Sequence, residues 1–192
     1  MLLRTSVTHP LRIDTVSCAP HAQGSIGITF CPGKCGPSLY GAHWARDLEA
    51  DLDAVLAWRA SVVLTLIEDH EFAALRVAGL GDGVRRRGAD WQHLPIKDLS
   101  VPDRSFEGSW MASGALALAA LTRGERVLVH CRGGLGRAGV VACMLLIEAG
   151  ESPAKALETI RAARHGTVET AAQERYVLAY RPRLPRDTHG LV

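Results

Sequence analysis

A short apolar run, Val127-Leu128-Val129-His130, passes straight into Cys131-Arg132-Gly133-Gly134-Leu135-Gly136-Arg137, and an apolar stretch from Val140 to Ala149 follows. That succession leaves few folds open. The first run is short and β-prone, and the last is apolar on every side, so a buried strand must enter a buried helix through a glycine-rich turn. The remaining segments supply the other layers. Ile26 to Phe30 reads as a short strand and is followed by the turn-rich Cys31-Pro32-Gly33-Lys34-Cys35-Gly36-Pro37. Asp47 is an N-cap for a helix whose buried face carries Leu48, Leu52, Val55 and Leu56. Val62 to Ile67 is a continuous β-prone run, Glu71 to Val77 a short helix, and Gly79 to Gly88 a loop carrying Arg85, Arg86 and Arg87. Trp91 to Ile96 reads as a strand, Lys97 to Asp103 as a polar loop, and Ser105 to Leu121 as a long helix. Ser152-Pro153 caps a further helix that Gly166 ends, and a last one starts near Thr170 and stops before Pro182. Strands alternating with helices predict the α/β class: a central, mostly parallel sheet flanked by helices on both faces.

The chain has 192 residues, enough for one well-cored domain, and no linker-like stretch divides it. Residues 1–25 are expected to be irregular, 26–181 to form the domain, and 182–192 to be a tail. Apolar runs such as Val140 to Ile147 fall short of the roughly 18 residues that a membrane span needs, so no membrane partner is expected. A net charge of +2 gives no reason to expect a nucleic-acid-coating surface. The opening MLLRTSVTHPLRID is broken by Arg4, Thr5, Ser6 and His9, lacks the apolar core of a secretory signal, and is read as cytoplasmic. In that compartment the five cysteines (Cys18, Cys31, Cys35, Cys131 and Cys143) stay mostly reduced, which favours chemistry over cross-linking.

The segment from His130 to Gly139 carries that chemistry. Gly133, Gly134 and Gly136 let the backbone curl until several N–H groups point inward as an anion-binding nest, and the following helix adds its positive end. A cysteine on the floor of the nest feels the same field, which favours thiolate over thiol. Arg137, six residues after Cys131, can return across the loop and clasp two oxygens of a tetrahedral oxyanion. The bland alternative is a buried cysteine beside a turn, but an arginine at a helix N-terminus opposes the dipole unless an anion binds there.

Cys-x5-Arg preceded by histidine resembles the signature of the protein tyrosine phosphatase superfamily, and HCRGGLGR is most similar to the dual-specificity branch, in particular the kinase-associated phosphatases and their bacterial relatives. The likeness extends to Cys31-Pro32-Gly33-Lys34, the Asp47 helix, Pro95-Ile96-Lys97-Asp98 and Thr170-Ala171-Ala172-Gln173, and covers roughly residues 26 to 180. It implies a cysteine-phosphatase fold in which Cys131 attacks phosphorus and forms a phosphocysteine. The N–H groups of Arg132, Gly133, Gly134, Leu135 and Gly136, with Arg137, hold the equatorial oxygens. No metal and no cofactor is needed. The implied substrates are phosphotyrosine proteins, with phosphoserine and phosphothreonine also allowed; a lipid is less favoured because the loop lacks lysine.

Two aspartates compete to protonate the leaving oxygen. The family's Pro-x-x-Asp element maps onto Pro95 to Asp98, and Asp103 reads more simply as part of a capping box, Ser100-x-x-Asp103, so Asp98 is preferred. Gln173 resembles the glutamine that positions hydrolytic water in these enzymes, although Thr170-x-x-Gln173 is also a capping box. His130 supports the loop, Arg132 tunes its rim, and Arg164 and Arg85 to Arg87 are candidates for meeting an anionic substrate. One departure stands out: the family usually has Ser or Thr directly after the signature arginine, and here that residue is Ala138. That departure gives weight to a phospho-binding module that no longer turns over; a rhodanese-like sulfurtransferase, which also cradles a reactive cysteine in a glycine-bearing loop, is the other competing reading. A zinc site built from Cys18, His21, Cys31 and Cys35 is disfavoured by its irregular spacing.

Overall fold

The computed structural model describes residues 3–37 and 43–185. At its centre β8 (Arg126–Cys131) lies between β3 (Ser25–Phe30) and β6 (Ala60–Thr65) and runs parallel to both. Beyond β6 lies β7 (Asp90–His93), also parallel, and outside β3 lies β2 (Asp14–Ser17), antiparallel, giving the order β2-β3-β8-β6-β7. The expected mostly parallel sheet is therefore present. Helices α1 (Leu48–Ala57), α2 (Asp69–Ala74) and α3 (Leu80–Arg86) enclose one apolar cluster, with Leu52, Val55, Val63, Leu80 and Leu128. The opposite cluster joins Val62, Leu64, Val127 and Val129 to α4 (Arg104–Thr122), α5 (Gly136–Ala149), α6 (Pro153–Ala163) and α7 (Ala171–Ala179). Alternate β8 residues thus enter different clusters, as a pleated strand covered on both sides requires.

The cap residues act where the sequence places them. Asp47 accepts from Ala50 N at 3.0 Å and Ser152 from Lys155 N at 3.4 Å. Helix α5 is buried from Gly136 to Glu148, and Gly150 stops it at φ 131°.

Three expectations are corrected. Residues 1–25 are not irregular throughout: β2 completes the sheet, burying Asp14 and Val16 while Thr15 and Ser17 face outward. Four alternating residues are too short a period to stand out in the sequence. The stretch from Gly79 to Gly88 is largely the helix α3 rather than a loop. Its glycines serve close packing, since a Cβ on Gly81 would lie 2.8 Å from the Trp91 ring and one on Gly83 2.4 Å from Leu52. The strand expected to reach Ile96 ends at His93, after which Leu94 N and Ile96 N still bond to Thr65 O and Leu66 O. A small second sheet was also not foreseen: β5 (His43–Ala45) pairs with β1 (Leu3–Arg4) in parallel and with β4 (Cys35–Pro37) in antiparallel fashion. The start of the expected tail is packed, because buried Glu148 accepts from Tyr180 Oη, Arg183 N and Leu184 N.

Candidate active site

Strand β8 delivers Cys131 to the bottom of the loop that precedes α5, and Gly134 N donates to its sulfur at 3.2 Å. Gly134 has φ +72°, and a Cβ there would lie 2.4 Å from the Thr29 carbonyl oxygen, so only glycine closes the turn against β3. A Cβ on Gly136 would collide with Glu169 and Gln173, whereas one on Gly133 would meet nothing. The carbonyls on the outer side of the loop are all gripped. Arg164 donates to Gly134 O at 2.7 Å and to Gly133 O at 3.3 Å, while Lys34 Nζ donates to Arg132 O at 3.2 Å. In a trans peptide the C=O and N–H point in opposite directions, so carbonyls fixed outward turn the following N–H groups inward.

Arg137 enters from the first turn of α5 and is 1% exposed. Its Nη1 and Nη2 donate to the Glu71 carboxylate at 2.5 and 3.1 Å, and Nη1 also donates to Ile96 O at 3.1 Å. Its Nη2 also lies 2.9 Å from Asp98 Oδ1, and its buried Nε has no partner. Burial pushes the Glu71 carboxyl up, but hydrogen bonds from Arg137 and from Glu68 N outweigh it and hold the pKa below the usual value. Burial likewise lowers the Arg137 pKa, yet the hydrogen bond to Glu71 prevails and keeps the guanidinium charged.

Asp98 lies on the loop after β7, where its side chain is half exposed and Oδ1 accepts from Leu99 N at 3.1 Å. Asp103 instead caps α4 by accepting from Phe106 N at 2.9 Å, so the cap is made by Asp103 directly and not with Ser100. Gln173 is fully buried and is used twice. Its Oε1 accepts from Glu169 N and Thr170 N, completing a capping box, and its Nε2 donates to Ser100 O at 3.0 Å on the Asp98 loop. His130, behind the loop, has Nε2 2.7 Å from Thr65 Oγ1, which in turn accepts from Trp91 Nε1 at 2.8 Å. Burial pulls the His130 pKa down to about 3, so the ring is neutral. Arg132 and Gly133 are exposed at the rim, and Leu135 is half-buried.

Cys131, Arg137, Asp98 and the loop are thus brought together. Arg164 lies behind the loop, salt-bridged to Asp14 at 2.6 Å, rather than in front of it as a substrate contact. Arg85 stacks over Trp91, while Arg86 and Arg87 pair with Glu49 and Asp53 of α1, so that cluster is committed to α1 and α3. Cys18 and Cys31 belong to different apolar clusters, on opposite faces of the sheet. Glu71 and Lys34 had no assigned role in the sequence. The only local signal for Glu71 is the capping box it forms with Glu68, which marks a helix start and not an active site.

This geometry can be set beside known proteins. The family model for the phosphatase domain of the DSP-PTPase type, described as PTP-SAK, Swiss Army Knife protein, matches residues 46–177. The chain belongs to this DSP-PTPase family. Cyclin-dependent kinase inhibitor 3 of Mus musculus is 30% identical over 141 residues, covering 72% of this chain and 65% of that protein. The chain therefore spans just under two thirds of that relative's length. Tk-PTP in its active form shares 29% identity, with a TM-score of 0.60 over 83% of this chain and 95% of that one. A kinase-associated phosphatase whose catalytic-site cysteine is replaced by serine superimposes with a TM-score of 0.75 over 88% of this chain and 92% of the other. At 24% identity that match speaks for the fold, which is the cysteine-phosphatase fold anticipated above. As a DSP-PTPase domain, the chain carries its signature loop at the end of the central strand, inside the matched residues.

Proposed function

We propose that this DSP-PTPase domain hydrolyses phosphomonoesters of proteins, phosphotyrosine first and phosphoserine or phosphothreonine where the pocket admits them, through a phosphocysteine at Cys131. The observation that carries the reading is the outer edge of Arg137: a buried Nε with no partner beside an Nη2 that Glu71 Oε1 holds from behind and Asp98 Oδ1 holds from the solvent side, both next to the loop that holds Cys131. A dianion fits that edge and the inward N–H groups of residues 132–136. The thiolate attacks phosphorus while the P–O bond to the leaving group breaks, and Asp98 gives that oxygen its proton. Asp98, then ionised, takes a proton from water, the water oxygen attacks phosphorus, and the P–S bond breaks to release phosphate and restore the thiolate. Glu71 keeps the guanidinium aimed, and Gln173 holds the Asp98 loop through Ser100. His130 braces the end of β8. The phosphatase unit is assigned to residues 26–181, with β2 added to its edge, and its partners are phosphorylated proteins of the cytoplasm.

A panel of phosphopeptides and small aryl phosphates, tested with the wild type and Cys131→Ser, checks the proposal. Turnover abolished by Cys131→Ser supports it. Tight binding of phosphopeptides without turnover by the wild type favours instead the phospho-binding reading that Ala138 keeps open.

A further inference from the structure

The β3–β4 turn places a buried ammonium against the back of the phosphate loop. Lys34 is one of only three lysines, beside nineteen arginines, and is 8% exposed. Its Nζ sits 4.4 Å from the Phe30 ring centre and 4.5 Å from that of Trp44, and its hydrogen bond goes to Arg132 O. We propose that Lys34 is a positioning residue for oxyanion binding: it fixes the Arg132–Gly133 peptide with its N–H turned into the nest and strengthens that N–H as a donor. This assignment rests on the phosphatase reading of the loop.

Two physical effects support it. A charged donor on the carbonyl polarises the whole peptide, so the N–H at its other end becomes a better donor to an anion. The aromatic pair holds the ammonium over two ring faces, and Cys31 N shares the same carbonyl at 3.4 Å. Arg164 performs the matching task on the next peptide, gripping Gly133 O while Gly134 N donates to Cys131 Sγ. Lys34 differs in that it can titrate. Burial pulls its pKa down to about 8; Cys31 and Cys131 oppose that shift and Arg46 and Arg132 reinforce it. Cys35 lies in the same turn, and Arg46 is tied to Asp51 at 2.7 Å. The ammonium is complete below about 8 and lost above it, so the loop should hold a dianion less well on the alkaline side.

The test is tungstate binding to the Cys131→Ser protein by calorimetry, since tungstate keeps its charge across this range and serine does not ionise there. Affinity should fall as pH rises through about 8. Lys34→Met should weaken binding about five- to twentyfold at neutral pH and abolish the pH step. Lys34→Arg should retain the affinity and also lose the step, because arginine does not deprotonate. Should Lys34→Met not fold, the pH profile of Lys34→Arg decides. Binding within about twofold of the parent in a folded Lys34→Met, or the same alkaline step in Lys34→Arg, overturns the assignment. Aryl phosphate hydrolysis by the protein with Cys131 intact is followed in parallel. Its absence together with a Lys34-dependent tungstate site would remove the phosphatase reading and leave the assignment standing. Normal hydrolysis with tungstate binding indifferent to Lys34 would do the reverse.

Discussion

Asp98 Oδ1 lies 2.9 Å from Nη2 of Arg137, on a guanidinium whose end is already held by both carboxylate oxygens of Glu71. The arginine thus has one carboxylate that orients it from behind and another on its solvent side. In the proposed reaction an incoming dianion takes Asp98 off Nη2 and frees that carboxyl to meet the leaving oxygen.

For Glu71 the consequence is a large loss on truncation. In Glu71→Gln, Arg137 keeps its buried charge and loses its buried counter-charge, which should cost about 3 kcal/mol of folding stability. Urea unfolding measures that. Turnover should fall with it, because a guanidinium released from Glu71 turns onto Asp98. A variant as stable as the wild type would show that the pair does not set the arginine's position.

For Asp98 the two roles separate by leaving group. Asp98→Asn should slow hydrolysis of phenyl phosphate by about 10²- to 10⁴-fold and that of dinitrophenyl phosphate far less, since the latter leaves without a proton. The same variant should bind tungstate more tightly than the wild type, having lost a carboxylate that competes for Arg137. Equal slowing of both esters would assign the acid elsewhere than Asp98; the Asp103 carboxylate is engaged at Phe106 N.

Ala138 is fully buried in the first turn of α5 and offers no hydroxyl to a departing thiolate. Breakdown of the phosphoenzyme should therefore limit turnover. Rapid quench should reveal an early burst of product, and Ala138→Ser should raise the steady-state rate about ten- to a hundredfold, the worth of a hydrogen bond of about 1.5–3 kcal/mol to a charged sulfur. Absence of both the burst and the gain would reject this account.

His130 supplies a pH dependence of stability. Its folded pKa of about 3 lies below the ordinary value of 6.5, so over that interval the unfolded chain binds one more proton than the folded one. Stability should fall as pH drops from 6.5 toward 3, by up to about 1.4 kcal/mol per pH unit. Glu71, also depressed, begins to contribute only below its ordinary value of 4.5, so the window from 6.5 to 4.5 isolates the histidine. Urea midpoints across that window, compared with His130→Gln, read the effect; the variant's midpoint should be flat where the wild type's slopes.

The parts legible in the sequence are those whose signal is local. The run from Val127 to Ala149 gives strand, loop and helix because burial on both sides leaves no other arrangement, and Asp47 and Ser152 announce their helices by cap chemistry. The parts that were hidden depend on partners distant along the chain. Glu71 meets Arg137 across 66 positions, Arg164 reaches Asp14 across 150, and Lys34 reaches the Arg132 carbonyl across 98. No periodicity marks such pairs. Gly81 and Gly83 misled for the opposite reason: a glycine normally read as a turn serves there as a missing side chain beneath Trp91 and Leu52.

In the proposed reaction phosphorus passes through the sulfur of Cys131. Acid quenching during turnover of a small aryl phosphate, followed by mass spectrometry of the peptide containing Cys131, tests it directly. One phosphoryl group should be found on Cys131, more of it at steady state than in Ala138→Ser, and none anywhere in Cys131→Ser. Turnover with Cys131 unmodified, or with the phosphoryl group on another residue, would contradict it.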